Sequence, residues 1–162
     1  MDAAHRITRF RGYDLSVWLH TENDAPKAMW DQAMRELAAC PTKTLRSLVV
    51  TDGYAPDAAR RSQLSTEGLR GGRIKSSIVT TVLSNPIKRG VATALTWLNP
   101  QFGFFTPEKF DAALAHIGLP DEMDAVWDML GELQLTLPPI YNLELIAKAF
   151  HLSPLPFAAK QA

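Results

Sequence analysis

Leu45-Arg46-Ser47-Leu48-Val49-Val50-Thr51-Asp52-Gly53-Tyr54-Ala55-Pro56-Asp57-Ala58-Ala59-Arg60-Arg61 reads as a buried strand, a short polar turn and the start of a helix. Leu48, Val49 and Val50 form a continuous apolar run, the pattern of a strand covered on both faces. Thr51-Asp52-Gly53 breaks the strand, and Pro56 suits the first turn of a helix, where its missing N–H costs nothing. In open α/β sheets, ligands and partners meet the turns at the carboxyl ends of the strands. The 51–57 turn is therefore where function is expected.

Upstream, His5 to Phe10 and Tyr13 to His20 read as an antiparallel hairpin around Arg11-Gly12. The second strand alternates, with Tyr13, Leu15, Val17 and Leu19 on one face and Asp14, Ser16, Trp18 and His20 on the other. A helix runs from Pro26 to about Ala39, with Met29, Trp30, Ala33, Met34 and Leu37 on one side and Pro41 stopping it. Lys27–Asp31 and Asp31–Arg35 are i,i+4 pairs on its outer side. Downstream of the quoted stretch, the helix from about Pro56 to Gly68 lacks a strong apolar stripe, so it is expected to lie shallowly on the sheet. Gly71-Gly72 turns into a strand at Ile74 to Thr81. Ser84 or Asn85 caps a further helix opening on Pro86, with Ile87, Val91, Leu95 and Leu98 inward. Asn99-Pro100 ends that helix, and Phe102 to Phe105 is the last strand. Thr106 caps a helix beginning Pro107-Glu108, with Phe110, Leu114 and Ile117 inward, and Gly118 and Pro120 stop it.

The order is ββαβαβαβα: an α/β fold with a mixed sheet, made of an N-terminal antiparallel hairpin plus three further strands, and about four helices. This covers residues 1–120. Residues 121–162 form a helical extension packed on or beside it: Asp121 to Leu133 carries Met123, Trp127, Leu130 and Leu133 at helical spacing, and Asn142 caps Leu143 to Phe150. Residues 153–162 hold little pattern and are expected to be loose.

The 162 residues suffice for one domain with a real core, and the 46% apolar and 21% charged content is that of a soluble globular chain. Seventeen basic residues balance seventeen acidic ones, so no global field draws the chain to nucleic acid or membrane. No run approaches the ~20 apolar residues needed to span a bilayer, and the first residues lack a secretory signal. Cys40 is the single cysteine, which excludes an internal disulfide and a thiolate metal cage. A cytoplasmic protein is expected. Locally the charge separates. Arg60, Arg61, Arg70, Arg73, Lys75, Lys88 and Arg89 face only Glu67 between positions 60 and 89. Asp121, Glu122, Asp124, Asp128, Glu132 and Glu144 face no basic residue between 121 and 144. Solvated helix faces explain such runs; the sharper reading packs the acidic tail near the basic helices, or brings an acidic partner to them.

The topology from His5 to Gly118, with Val49-Val50-Thr51-Asp52-Gly53 and the run Lys88-Arg89-Gly90-Val91-Ala92-Thr93-Ala94-Leu95-Thr96-Trp97-Leu98-Asn99-Pro100, resembles the STAS domain, the fold of anti-sigma-factor antagonists. The resemblance implies a STAS-like mixed sheet and a non-enzymatic signalling module that binds a protein partner. In the phospho-regulated members a serine at the start of the second helix is phosphorylated, which places charge at a helix N-terminus. Here that turn holds no serine, and the helix opens on Asp57. A phospho-switch at this turn is not expected, and Thr51 is the nearest hydroxyl.

Partner contact is expected at Thr51, Asp52, Gly53, Tyr54, Asp57, Arg60 and Arg61. Asn85, Lys88 and Arg89, at the start of a helix, form the better candidate for an anion, because donors and charge point together there. The alternative function is thus a binder of, or enzyme acting on, a small anionic ligand at the 51–57 turn and the 85–89 helix start. Asp52 and Asp57 could act as a carboxylate pair or hold magnesium, but turn and cap bonding accounts for both. Arg70-Gly71-Gly72-Arg73 follows a helix and precedes a strand, the reverse of a phosphate loop. His5, His20, His116 and His151 show no metal-ligand spacing, no Gly-x-Ser-x-Gly occurs, and Cys40 reads as a small packed residue. Trp97, Phe104 and Phe105 read as packing rather than stacking platforms. No catalytic residue, metal or cofactor is expected; a homodimer stays open.

Overall fold

A computed structural model describes residues 1–54, 56–68, 70–82 and 101–157. The helix expected after Ser84, with Ile87, Val91, Leu95, Leu98 and Trp97, and the candidate anion residues Asn85, Lys88 and Arg89 lie outside the described residues. Five strands, β1 (Ala3–Phe10), β2 (Tyr13–His20), β3 (Leu45–Thr51), β4 (Lys75–Val79) and β5 (Phe102–Phe105), form one sheet in chain order. β1 and β2 pair antiparallel from Ala3↔His20 to Phe10↔Tyr13, while β2 to β5 run parallel. The hairpin turn works because Arg11 and Gly12 both take positive φ (51° and 85°), matching the twist of the flanking strands.

Both faces of the sheet are covered, so the alternation of β2 separates two cores rather than core from water. On one face Leu15, Val17 and Leu19 of β2 meet Leu48 and Val50 of β3 and Val79 of β4. Helices α3 (Phe110–His116), α4 (Met123–Gln134) and α5 (Tyr141–Phe150) close over them with Phe110, Leu114, Val126, Leu130, Leu143 and Ile146. The helices after Pro120 therefore belong to the principal apolar cluster. The buried Ser77 hydroxyl ties β4 to α3 by donating to the Ala113 carbonyl at 2.7 Å. On the other face helix α1 (Lys27–Ala39) lays Trp30, Ala33, Met34 and Leu37 against Ala3, Trp18, Leu45 and Ile74. Helix α2 (Ala58–Gln63) follows β3 and continues as a π-helical turn, Leu64–Gly68.

Several local expectations change. The helix expected over 56–68 is only six α-helical residues long before it widens, and none of the six is buried. The strand expected over 74–81 pairs only from Lys75 to Val79. Thr106 makes no side-chain cap; Pro107–Lys109 is a tight 3₁₀ turn ahead of α3. Asn142 is not the cap of α5 but lies inside its first turn, fully buried, with Ile140 preceding the helix. Lys27 pairs with Asp31, whereas Arg35 donates instead to Gln32 Oε1 at 2.8 Å. The acidic stretch meets arginines of the N-terminal hairpin: Arg6 pairs with Glu132, and Arg11 with Glu122 at 2.9 Å. Residues 152–157 carry no regular structure, yet the Ser153 carbonyl accepts the Trp127 indole N–H at 3.0 Å, and Leu152 and Leu155 pack on the main core.

Candidate functional site

The carboxyl end of β3 turns on Thr51 and Gly53. The Thr51 hydroxyl accepts the Gly53 N–H at 3.1 Å, and Gly53 takes φ 131°, a backbone that side-chain-bearing residues resist. Because Thr51 makes the local turn, Asp52 is released for a distant task. Its carboxylate accepts the backbone N–H groups of Tyr141 (2.7 Å) and Asn142 (3.0 Å) and the Asn142 side-chain amide (2.6 Å). The same amide also donates to the Thr51 carbonyl at 3.0 Å. Asp52 is thus the N-terminal cap of α5, supplied from about ninety positions away. This corrects the expectation that local backbone bonding accounts for Asp52.

Tyr54 folds inward. Its ring stacks on His20 with centroids 4.8 Å apart, and its hydroxyl accepts from Arg60 Nη1 at 2.8 Å. Arg60 also donates to the Ala25 carbonyl at 3.0 Å and lies 5.3 Å over the Trp30 ring. The bond to Tyr54 raises the Arg60 guanidinium further above its ordinary value, so it is charged throughout the accessible range. Asp57 caps α2 as its sequence position suggests, accepting the Arg60 N–H at 2.8 Å. The Trp30 indole donates to Gln63 Oε1 at 2.9 Å, pinning the far end of α2 to α1.

Beneath Tyr54 a column of rings continues along the face shared with α1. Trp18 and His20 stack at 5.5 Å, and His5 lies 4.2 Å from Trp18. The Ser16 hydroxyl accepts the Trp18 indole N–H at 3.0 Å and bonds His5 Nε2 at 2.8 Å. His5 Nδ1 lies 3.4 Å from Glu36 of α1. Burial pushes His5 down to about 4 against the opposing pull of Glu36. His20 is pushed to about 3 by burial first, then by His5 and Arg60. His20 Nδ1 is buried with no hydrogen-bond partner among the described residues.

The seven residues expected to contact a partner therefore do different things. Thr51, Asp52, Tyr54 and Arg60 face inward or bond within the chain, although Asp52 and Arg60 keep part of their surface. Gly53 is half-buried, and Asp57 and Arg61 stand exposed. The structure brings all seven to one end of the sheet and adds Tyr141, a residue 55% exposed beside the turn that holds its backbone. Composition gave no sign of Tyr141 or of the buried histidines; only a count of which faces are covered could have found them. Arg70 is a structural residue, closing the end of α1 through the Leu37 carbonyl (2.6 Å) and the Thr42 hydroxyl (2.7 Å). Among the described residues no group of three or more His, Cys, Asp or Glu is placed to hold a metal, and no helix is long and apolar enough to cross a membrane. Comparison with protein-family models, with curated proteins and with solved structures returns no significant match.

Proposed function

We propose that this chain is a non-enzymatic protein-interaction module of bacterial regulation, working in the cytoplasm and STAS-like in its use of the turn and helix after β3. The carrying observation is α2. It buries no residue, yet it is fixed at one end by the Asp57 cap and the Arg60–Tyr54 bond and at the other by Trp30–Gln63. A helix held rigidly but contributing nothing to the core presents its side chains at low ordering cost to a partner. Thr51, the nearest hydroxyl at the turn, is buried and already bonded, which favours recognition of the turn over its phosphorylation.

Co-purification from the native cell, compared between the wild-type chain and Arg61→Glu, tests this. Arg61 is exposed and, among the described residues, bonds only the Pro56 carbonyl, so its replacement is expected to leave the fold standing. The expected result is a partner retained by the wild type and lost by the variant. A partner held equally by both refutes the surface. A thermal shift with phosphate or nucleotides, abolished by Arg61→Glu, would instead favour a small anionic ligand.

A further inference from the structure

We propose that the ring column under the turn makes Tyr54 an acid-released latch, in which protonation of His20 lifts Tyr54 off the sheet while the sheet stays folded. His20 is 5% exposed, and among the described residues its Nδ1 has no acceptor for a second proton. The charged and titratable groups facing it, His5 on β1 and Arg60 on α2, both oppose a further proton, and the rings of Trp18 on β2 and Tyr54 on the turn shield it from water. Glu36 of α1 is spent on His5, and Asp24 and Asp57 act on Arg60. Departure of Tyr54, whose ring stacks on His20, opens an imidazolium here to water. Tyr54 also bonds Arg60 through its hydroxyl, so its departure removes one tie of a cation that acts on the histidine, while the Ala25 carbonyl and the Trp30 ring still hold it. β3 does not depend on that movement, since its pairing with β2 and β4 lies behind the ring column.

The sign follows from proton counting. Below the ordinary histidine value the open state takes up a proton that the closed state refuses until about pH 3, so falling pH favours opening. For one histidine the open population rises about tenfold per pH unit over that window. Hydrogen exchange by mass spectrometry, corrected for intrinsic rates, reads this on peptides covering 51–63 and 45–50. Expected is a protection of 51–63 that falls about tenfold per unit between about pH 6 and 4.5. Residues 45–50 keep theirs, and His20→Phe flattens the response, with His20→Gln as the second variant should the first not fold. Parallel loss in both peptides, or a wild-type slope retained in the histidine variant, overturns the latch. Acid release of a partner would be its use and rests on the function proposed above. The exchange experiment contains no partner, so either reading can fail alone.

Discussion

Asp52→Ala removes the carboxylate that closes the N-terminus of α5. Three donors lose their acceptor: the N–H groups of Tyr141 and Asn142 and one bond of the Asn142 amide, which keeps the Thr51 carbonyl. Losing a helix cap costs about 1 kcal/mol, and losing a negative charge at a helix N-terminus a further ~0.5 kcal/mol. The Asn142 N–H is part-buried, so leaving it unpaired adds about 1 kcal/mol. The sum is about 2–3 kcal/mol, which for a chain of this size lowers the melting temperature by roughly 5–10 °C. Asp52→Asn keeps an acceptor oxygen but not the charge, and about 1 kcal/mol is expected. Urea titration with an unchanged slope measures both variants. Crossing Asp52→Ala with Asn142→Ala isolates the pair, with a coupling of about 1 kcal/mol. A loss below about 0.5 kcal/mol for the alanine variant, as for an ordinary surface change, would refute the cap.

Global stability is expected to fall as pH drops from about 6.5, because the unfolded chain binds protons on His5 and His20 that the fold excludes until about 4 and 3. The slope reaches at most about 1.4 kcal/mol per pH unit for each histidine, and His5→Phe should halve it in denaturation series at pH 7, 6 and 5. Gly118 takes φ 85° in the stop after α3, and a Cβ there would sit 3.0 Å from the Tyr13 hydroxyl. Gly118→Ala is therefore expected to cost about 1–2 kcal/mol; a neutral result would mean that the stop relaxes without strain.

Strand positions and the hairpin were legible because period-two alternation and the Arg11-Gly12 turn are local signals. Less legible was what the second face of β2 does. Asp14, Ser16, Trp18 and His20 look polar enough for water, but α1 covers that face, so Ser16 and His20 are buried and must find partners within it. The cap of α5 had no local signal at all. Asn142 has the right composition for a cap, and only the fold brings Asp52 to the position it would have filled. α2 was readable as weakly amphipathic, but not as broken at Leu64, where Thr66 bonds back to the Ser62 carbonyl at 2.9 Å.

The strand order has a kinetic corollary. Each strand pairs with the one made just before it, so the sheet can grow by addition at one edge while the chain is still being synthesised. The apolar face that it presents, with Leu15, Val17, Leu19, Leu48 and Val50, receives Val126, Leu130, Leu143 and Ile146 only from the last quarter of the chain. Asp52 waits equally long for the helix that it caps. A nascent chain therefore carries an assembled sheet whose face is incompletely covered until its final helices arrive, and any stall before Met123 leaves part of that face open to chaperones or to another copy.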